Sequence, residues 1–167
     1  MTDVHTSRLL LHAIDVNEAE RILSAVAGPS DVWAHDFPFE GDRIAVGAFL
    51  GRTTESGEQR PFGHYRIADS SNGLAIGGIG FKSRPTNGYV EIGYGLVPSA
   101  RGHGYAAEAL TALLDLAATH GVLAVIAATT PDNAASQRVL ERVGFEVVRT
   151  DDRLRHYEAL LAQRSPE

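Results

Sequence analysis

A chain of 167 residues, 44% hydrophobic and 22% charged, has the length and balance of one globular domain with a sizeable core. A net charge of −6 without a basic stripe excludes nucleic acid as the main partner and favours a cationic substrate. The absence of cysteine excludes a disulfide framework, a thiolate metal site and a cysteine nucleophile. No signal-peptide layout and no run of about 18 apolar residues is found, so a cytoplasmic protein off the membrane is expected.

Residues 8–14 (Arg-Leu-Leu-Leu-His-Ala-Ile) read as a first strand. Asp15 and Glu18 then form a capping-box variant ahead of Ala19, Ile22, Leu23 and Val26, which share a helical face until Gly28-Pro29. Trp33, Phe37 and Phe39 cluster around Pro38, either as walls of a substrate pocket or as loop aromatics on the core edge. A short helix over 42–50 and a polar connecting loop over 51–61 follow.

Strands over 62–69 and 74–82 are joined through Asn72-Gly73, a strong hairpin signal, and Asn87-Gly88 marks another turn before a strand at 89–97. There Val90, Ile92, Tyr94 and Leu96 take one face, and Tyr89, Glu91, Gly93 and Gly95 the other. After a glycine loop, Ala106, Ala109, Leu110, Leu113, Leu114 and Ala117 make a helical stripe, with Gly121 as its stop. An apolar strand at 122–128 precedes a helix begun by Pro131-Asp132-Asn133 and ended by Gly144; strands at 145–149 and 153–161 close the chain. The pattern is mixed α/β with a partly antiparallel sheet.

The stretch from Tyr94 to Ala106 carries the chemistry. A strand runs through glycines straight into a helix, leaving bare N–H groups and the positive end of the helix dipole for a phosphate. It is not a P-loop, since no lysine follows the glycines, and Gly102-x-Gly104 lacks the third glycine of a dinucleotide fingerprint. The histidines lack metal-site spacing, and no Gly-x-Ser-x-Gly appears, so neither a metal centre nor a serine hydrolase is expected.

What fits is Arg101-x-x-Gly104-x-Ala106. With it stand Thr6-Ser7-Arg8-Leu9-Leu10-Leu11, Glu91-Ile92-Gly93-Tyr94, Asn133-Ala134-Ala135-Ser136 and Val143-Gly144-Phe145, in order over nearly the whole chain. The chain thereby resembles the GNAT superfamily of N-acetyltransferases, in particular its RimJ/RimL-like ribosomal-protein branch. The resemblance implies a single domain over 1–167 with the acyl-CoA N-acyltransferase fold. That fold is a mostly antiparallel sheet of about seven strands splayed at the fourth and fifth, with about four helices. It implies acetyl-CoA as co-substrate, no metal, and an acceptor that is a small-molecule amine or a protein N-terminus. A homodimer is a further implication. The alternative is a non-catalytic acyl-CoA-binding module on the same fold.

By the same resemblance, Leu96 and Val97 line the coenzyme and the Val97 N–H is the oxyanion donor. Backbone amides over Arg101, Gly102, His103, Gly104, Tyr105 and Ala106 hold the pyrophosphate. The side chains of Arg101 and His103 reach phosphates or are solvated. Asn133 binds the pantetheine arm or merely caps its helix. Acetyl transfer needs a neutral amine, a donor for the developing oxyanion and a proton for the thiolate. Glu91 is the expected base and acceptor contact, against the reading of a carboxylate that only binds the substrate cation or pairs with a nearby arginine. Ser136 is the proton donor and coenzyme contact, or a small packing residue. Trp33 and Phe37 are the expected acceptor walls. Two positions depart from the family: Leu140 stands where many relatives have tyrosine, and His12 where many have arginine.

Overall fold

Asn87 and Gly88 both adopt positive φ (52° and 84°), and the residues flanking them, Thr86 and Tyr89, pair across the turn. This is the mirror-image turn that matches strand twist, and Gly73 (φ 77°) closes the preceding hairpin. These turns set up the sheet in a computed structural model that describes residues 3–161.

The strands are β1 (Asp3–His5), β2 (Leu9–Ala13), β3 (His64–Asp69), β4 (Ala75–Phe81), β5 (Tyr89–Leu96), β6 (Ala124–Thr129), β7 (Glu146–Thr150) and β8 (Arg155–Leu160). The helices are α1 (Val16–Ser24), α2 (Glu40–Ser56), α3 (Tyr105–Thr119) and α4 (Ala134–Val143). All strands join one sheet in the order β1-β2-β3-β4-β5-β6-β8-β7. Every neighbouring pair is antiparallel except β5–β6, which is parallel and registered only at Tyr89↔Ala124, Val90↔Val125 and Glu91↔Ile126. Beyond Glu91 the two strands part, while β6 stays paired along its other edge to β8 from Ala124 to Thr129. The expected mixed fold, splayed at these two strands, is therefore the one observed.

Local details differ from the sequence expectation. The sheet gains an eighth strand, β1, paired to β2 at Val4↔Leu11. Helix α1 stops at Ala25, in the left-handed region (φ 57°), before Gly28-Pro29 is reached. Helix α2 begins earlier and ends later than expected and absorbs the supposed loop as far as Ser56. Asp42 caps it by accepting from the Phe39 N–H (3.1 Å), and Val46 and Phe49 bury its inner face. Packing of this face outweighs the cost of Gly47 and Gly51.

One core cluster joins Leu9, Leu11, Ile67, Ile79 and Ile92 of the sheet to Leu110, Leu113 and Leu114 of α3. Burial of each such side chain stabilises the fold by about 1.5–3 kcal/mol. On the opposite sheet face, alternate residues of β3 carry the polar chemistry. Arg66 donates to the buried Glu18 of α1, which also lies 3.4 Å from His12, while His64 sits beneath α2. Glycine is required at 78 and 80 because a Cβ there would meet the His64 ring at 2.5 and 2.7 Å.

Candidate active site

The parting of β5 and β6 makes a gap through the sheet, and the parity of β5 decides what faces it. Val97 donates its N–H to Ile76 O (2.9 Å), so odd-numbered N–H groups point to β4. The even-numbered groups turn the other way, and past the Glu91↔Ile126 pair those of Tyr94 and Leu96 face the side that β6 has left. The Val97 amide, expected as the oxyanion donor, is thus already occupied, and Leu96 presents its N–H to the gap instead. Leu96 O accepts from Arg101 Nε (3.0 Å).

Two cavities meet at this gap. The larger, about 850 Å³, runs from Tyr94, Gly95 and Leu96 past Arg101, Gly102, Gly104, Tyr105 and Ala106 to Arg138 and Arg142 of α4. Its floor is the start of α3. Gly102 (φ 85°) and Gly104 (φ 80°) hold the loop in the left-handed region, and Gly104 caps α3 without a side chain. A Cβ on Gly102 would meet nothing within 4 Å, so its conformation, not space, demands glycine. Bare first-turn amides, a free strand edge and flanking arginines form a donor set suited to a pyrophosphate joined to an amide-bearing arm.

Arg8 braces this loop from β2's approach. Its guanidinium donates to His103 O (2.9 Å) and Glu108 Oε1 (2.8 Å) and lies 4.5 Å from the centroid of the Tyr105 ring. Glu108 Oε2 also accepts from Thr6 Oγ1 (2.5 Å) and Arg8 N–H (2.9 Å). Burial works to raise the Glu108 pKa, but these donors hold it below the ordinary carboxylate value. The His103 ring rests near Tyr105 (centroids 5.7 Å) and does not line the cleft.

The smaller cavity, about 570 Å³, lies under α2 and shares Phe39, Tyr94, Gly95, Asn133 and Ser136 with the larger. At the junction the Tyr94 hydroxyl is 2.8 Å from Ser136 Oγ and also donates to Ser136 O (3.2 Å). Burial raises the Tyr94 pKa, and its bond to Ser136 works against that rise. Asn133 Oδ1 accepts the Ser136 N–H (3.1 Å), which makes Asn133 the α4 cap while it also lines both cavities. Leu140 lines the smaller cavity and supplies no proton.

Besides Tyr94, the smaller cavity's ionisable groups are Asp42, Arg52, His64 and Lys82. Asp42 is only 4% exposed and has no cationic partner among the described residues; burial pushes its pKa up to about 6, against the Phe39 N–H, with the Asp36 charge adding to the rise. His64 is driven down to about 4 by burial and by the Arg52 charge, so it is neutral at pH 7. Arg52 donates Nη2 to Phe81 O (3.1 Å), while its buried Nε has no partner among the described residues.

Glu91 shares the strand face of Gly93 and Gly95 but lines neither cavity. Its carboxylate is 3.1 Å from Lys82 Nζ, the ion-pair arrangement. Trp33 and Phe37 line neither cavity as well. They pack edge-on at 5.3 Å on the core margin, and Phe39 takes the wall position, with Arg101 5.4 Å from its ring centroid. The structure therefore brings Ser136, Asn133 and the glycine loop together and leaves Glu91, Trp33, Phe37 and His103 aside. Asp42 and Tyr94, which line the cavities, and Arg8, which braces the loop, were not among the site residues expected from the sequence. Asp42, three positions after Phe39 at a helix start, carried only a capping signal.

The sequence model of the acetyltransferase (GNAT) domain matches residues 8–146. The chain is similar to the uncharacterized N-acetyltransferase YjdG of Bacillus subtilis (strain 168), at 28% identity over 155 residues, covering 87% of this chain and 90% of that protein. Among solved structures it is similar to an acetyltransferase from Agrobacterium tumefaciens str. C58, with TM-score 0.67 and 25% identity over 95% of this chain and 94% of that one. It shares its fold with RimL, a ribosomal L7/L12 α-N-protein acetyltransferase solved in complex with coenzyme A; the TM-score is 0.68 and identity 19%, over 95% and 97% of the two chains.

Proposed function

The chain belongs to the acetyltransferase (GNAT) family, whose domain spans residues 8–146, and on that premise we propose that it acetylates a primary amine held beside Asp42. The observation that carries this reading is the pair of cavities meeting at Tyr94, Gly95 and Ser136, one shaped for coenzyme and one for acceptor. Acetyl-CoA supplies the activated acetyl group, and everything else falls to this chain's residues. Loop amides over 102–106, with the side chains of Arg101 and Asn133, orient the donor from the larger cavity; the Arg101 amide is already given to Pro98 O (3.3 Å). Asp42 binds the acceptor ammonium and takes its proton, which frees the nitrogen lone pair to bond to the acyl carbon. The Leu96 N–H donates to the charge that develops on the acyl oxygen. As the carbon–sulfur bond breaks, the Tyr94–Ser136 hydroxyl pair passes a proton to sulfur.

In this proposal Glu91 gives up the base role expected from the strand pattern, because at about 3.3 Å per residue it lies some 13 Å along β5 from Gly95. A buried carboxylate on the acceptor side and a hydroxyl pair on the donor side favour turnover over a binding-only module. A cytoplasmic setting and acceptors of either kind, small amine or protein N-terminus, belong to the same proposal. Among the described residues no helix is long and apolar enough to cross a membrane.

Calorimetry with acetyl-CoA, followed by thiol release over an amine panel, tests the reading. Heat of binding with turnover on at least one amine is expected. Binding without turnover on any amine would favour a sensor module, and no binding would end the proposal.

A further inference from the structure

The smaller cavity holds two charges of opposite sign that nothing in the described chain neutralises. Asp42 has a backbone donor but no cation, and Arg52 has a backbone carbonyl but no carboxylate. The other cation in the wall, Lys82, is already paired with Glu91, and His64 is neutral. A partly buried guanidinium without a counter-charge is costly, so a matching anion on a ligand gains what the protein has left unpaid. Both groups stand on α2, about 15 Å apart along its axis at 1.5 Å per residue. Between them Ala45 and Ala48 keep the wall clear, and Gly93 faces them from the sheet.

The order of these groups is set by the fold. Asp42 packs over Gly78, which is registered with Gly95 at the coenzyme junction. Arg52 reaches Phe81 O, three residues further along β4. A bound acceptor therefore places its amine at the junction and its far end at Arg52.

We infer that the acceptor is an amine that also carries an anionic group some 10–15 Å away, the anion held by Arg52; at about 3.3–3.6 Å per extended residue this is the reach of three to four residues of peptide. The shared chemistry, ammonium at one end and carboxylate at the other, comes either from an acidic N-terminal segment or from a long ω-amino acid. This inference rests on the acetyl-transfer reading of the same site and adds the acceptor's second charge.

The test compares tetrapeptide amides with free α-amines whose fourth residue is Glu, Gln or Lys, together with ω-amino carboxylates of increasing length and their methyl esters. In the parent protein, kcat/KM for the acidic acceptor exceeds that for its neutral match by about tenfold or more, the range of a charge-assisted hydrogen bond. Arg52→Gln collapses that ratio towards one, and Arg52→Glu inverts it in favour of the Lys peptide, while calorimetry with acetyl-CoA reports that each variant is folded. Success with peptides alone assigns an N-terminal segment, and success with ω-amino acids alone a small molecule. Equal turnover of Glu, Gln and Lys acceptors by the parent overturns the inference and leaves acetyl transfer standing, even where an Arg52 variant fails to fold. Turnover of no amine would instead count against the acetyl-transfer reading.

Discussion

The Tyr94 hydroxyl lies 2.8 Å from Ser136 Oγ, and both residues line the two cavities where these meet. A hydroxyl on a strand facing a hydroxyl on a helix forms a short proton path at the junction, although the family's tyrosine position holds Leu140. Tyr94→Phe is expected to lower kcat by roughly 100-fold, the lower end of the range for general acid catalysis, with acetyl-CoA affinity nearly unchanged. Ser136→Ala should fall similarly, and the double variant little further, since the pair acts as one unit. Single-turnover kinetics with calorimetry on each variant checks this.

Asp42 has its pKa raised to about 6 by burial, from an ordinary 3.8. A proton acceptor must be ionised, so kcat/KM should fall as pH drops below about 6, and Asp42→Asn should lose both activity and that limb of the profile. The stability effect has the opposite sense. The folded state holds this proton more tightly than the unfolded chain, so stability declines as pH rises from about 4 to 6, by up to about 3 kcal/mol. Asparagine still accepts from the Phe39 N–H, so the variant should melt a few degrees higher than the parent at neutral pH. Thermal melts across this window are the measurement.

Glu91 and Asp42 can be set against each other directly. Glu91→Gln removes the partner of Lys82 at a half-exposed ion pair, a contact worth about 0–1 kcal/mol. It should change kcat by no more than a few-fold, where Asp42→Asn costs far more. The reverse ranking in steady-state assays would return the base role to the strand.

The brace on the glycine loop gives a fourth prediction. Arg8→Ala removes donors to His103 O and Glu108 and the cation over Tyr105. Charge-assisted bonds contribute about 1.5–3 kcal/mol each when fully engaged, and less at an exposed site. A several-fold weaker Kd for acetyl-CoA is expected by calorimetry, with kcat at saturating coenzyme kept.

What the sequence disclosed was local. The turn at Asn87-Gly88, the Asn133 cap and the glycine loop that opens α3 each follow from a few adjacent residues, and all stand where they were expected. The cavity proposed for the acceptor was illegible because it is assembled at long range. Asp42 becomes a buried carboxylate only when α2 lies across Gly78 of β4, and no spacing in the chain announces that contact. Trp33 and Phe37 stayed open between two readings for the converse reason: aromatics near a proline look alike whether they line a pocket or seal a core edge, and here they pack edge-on against each other. Glu91 was correctly placed on its strand face, but its neighbour Lys82 across the ladder was not weighed.

The brief parallel contact between β5 and β6 has a consequence for motion. The two blades of the sheet are stitched by register pairs at Tyr89, Val90 and Glu91 alone, with Gly88 O accepting from Leu123 and Ala124 just before them. A coenzyme arm seated beyond that seam would supply the missing rungs of the ladder. Amide hydrogens of Tyr94 and Leu96 should exchange quickly in the free protein and slow markedly once the arm is in place, so that the ligand itself completes the sheet.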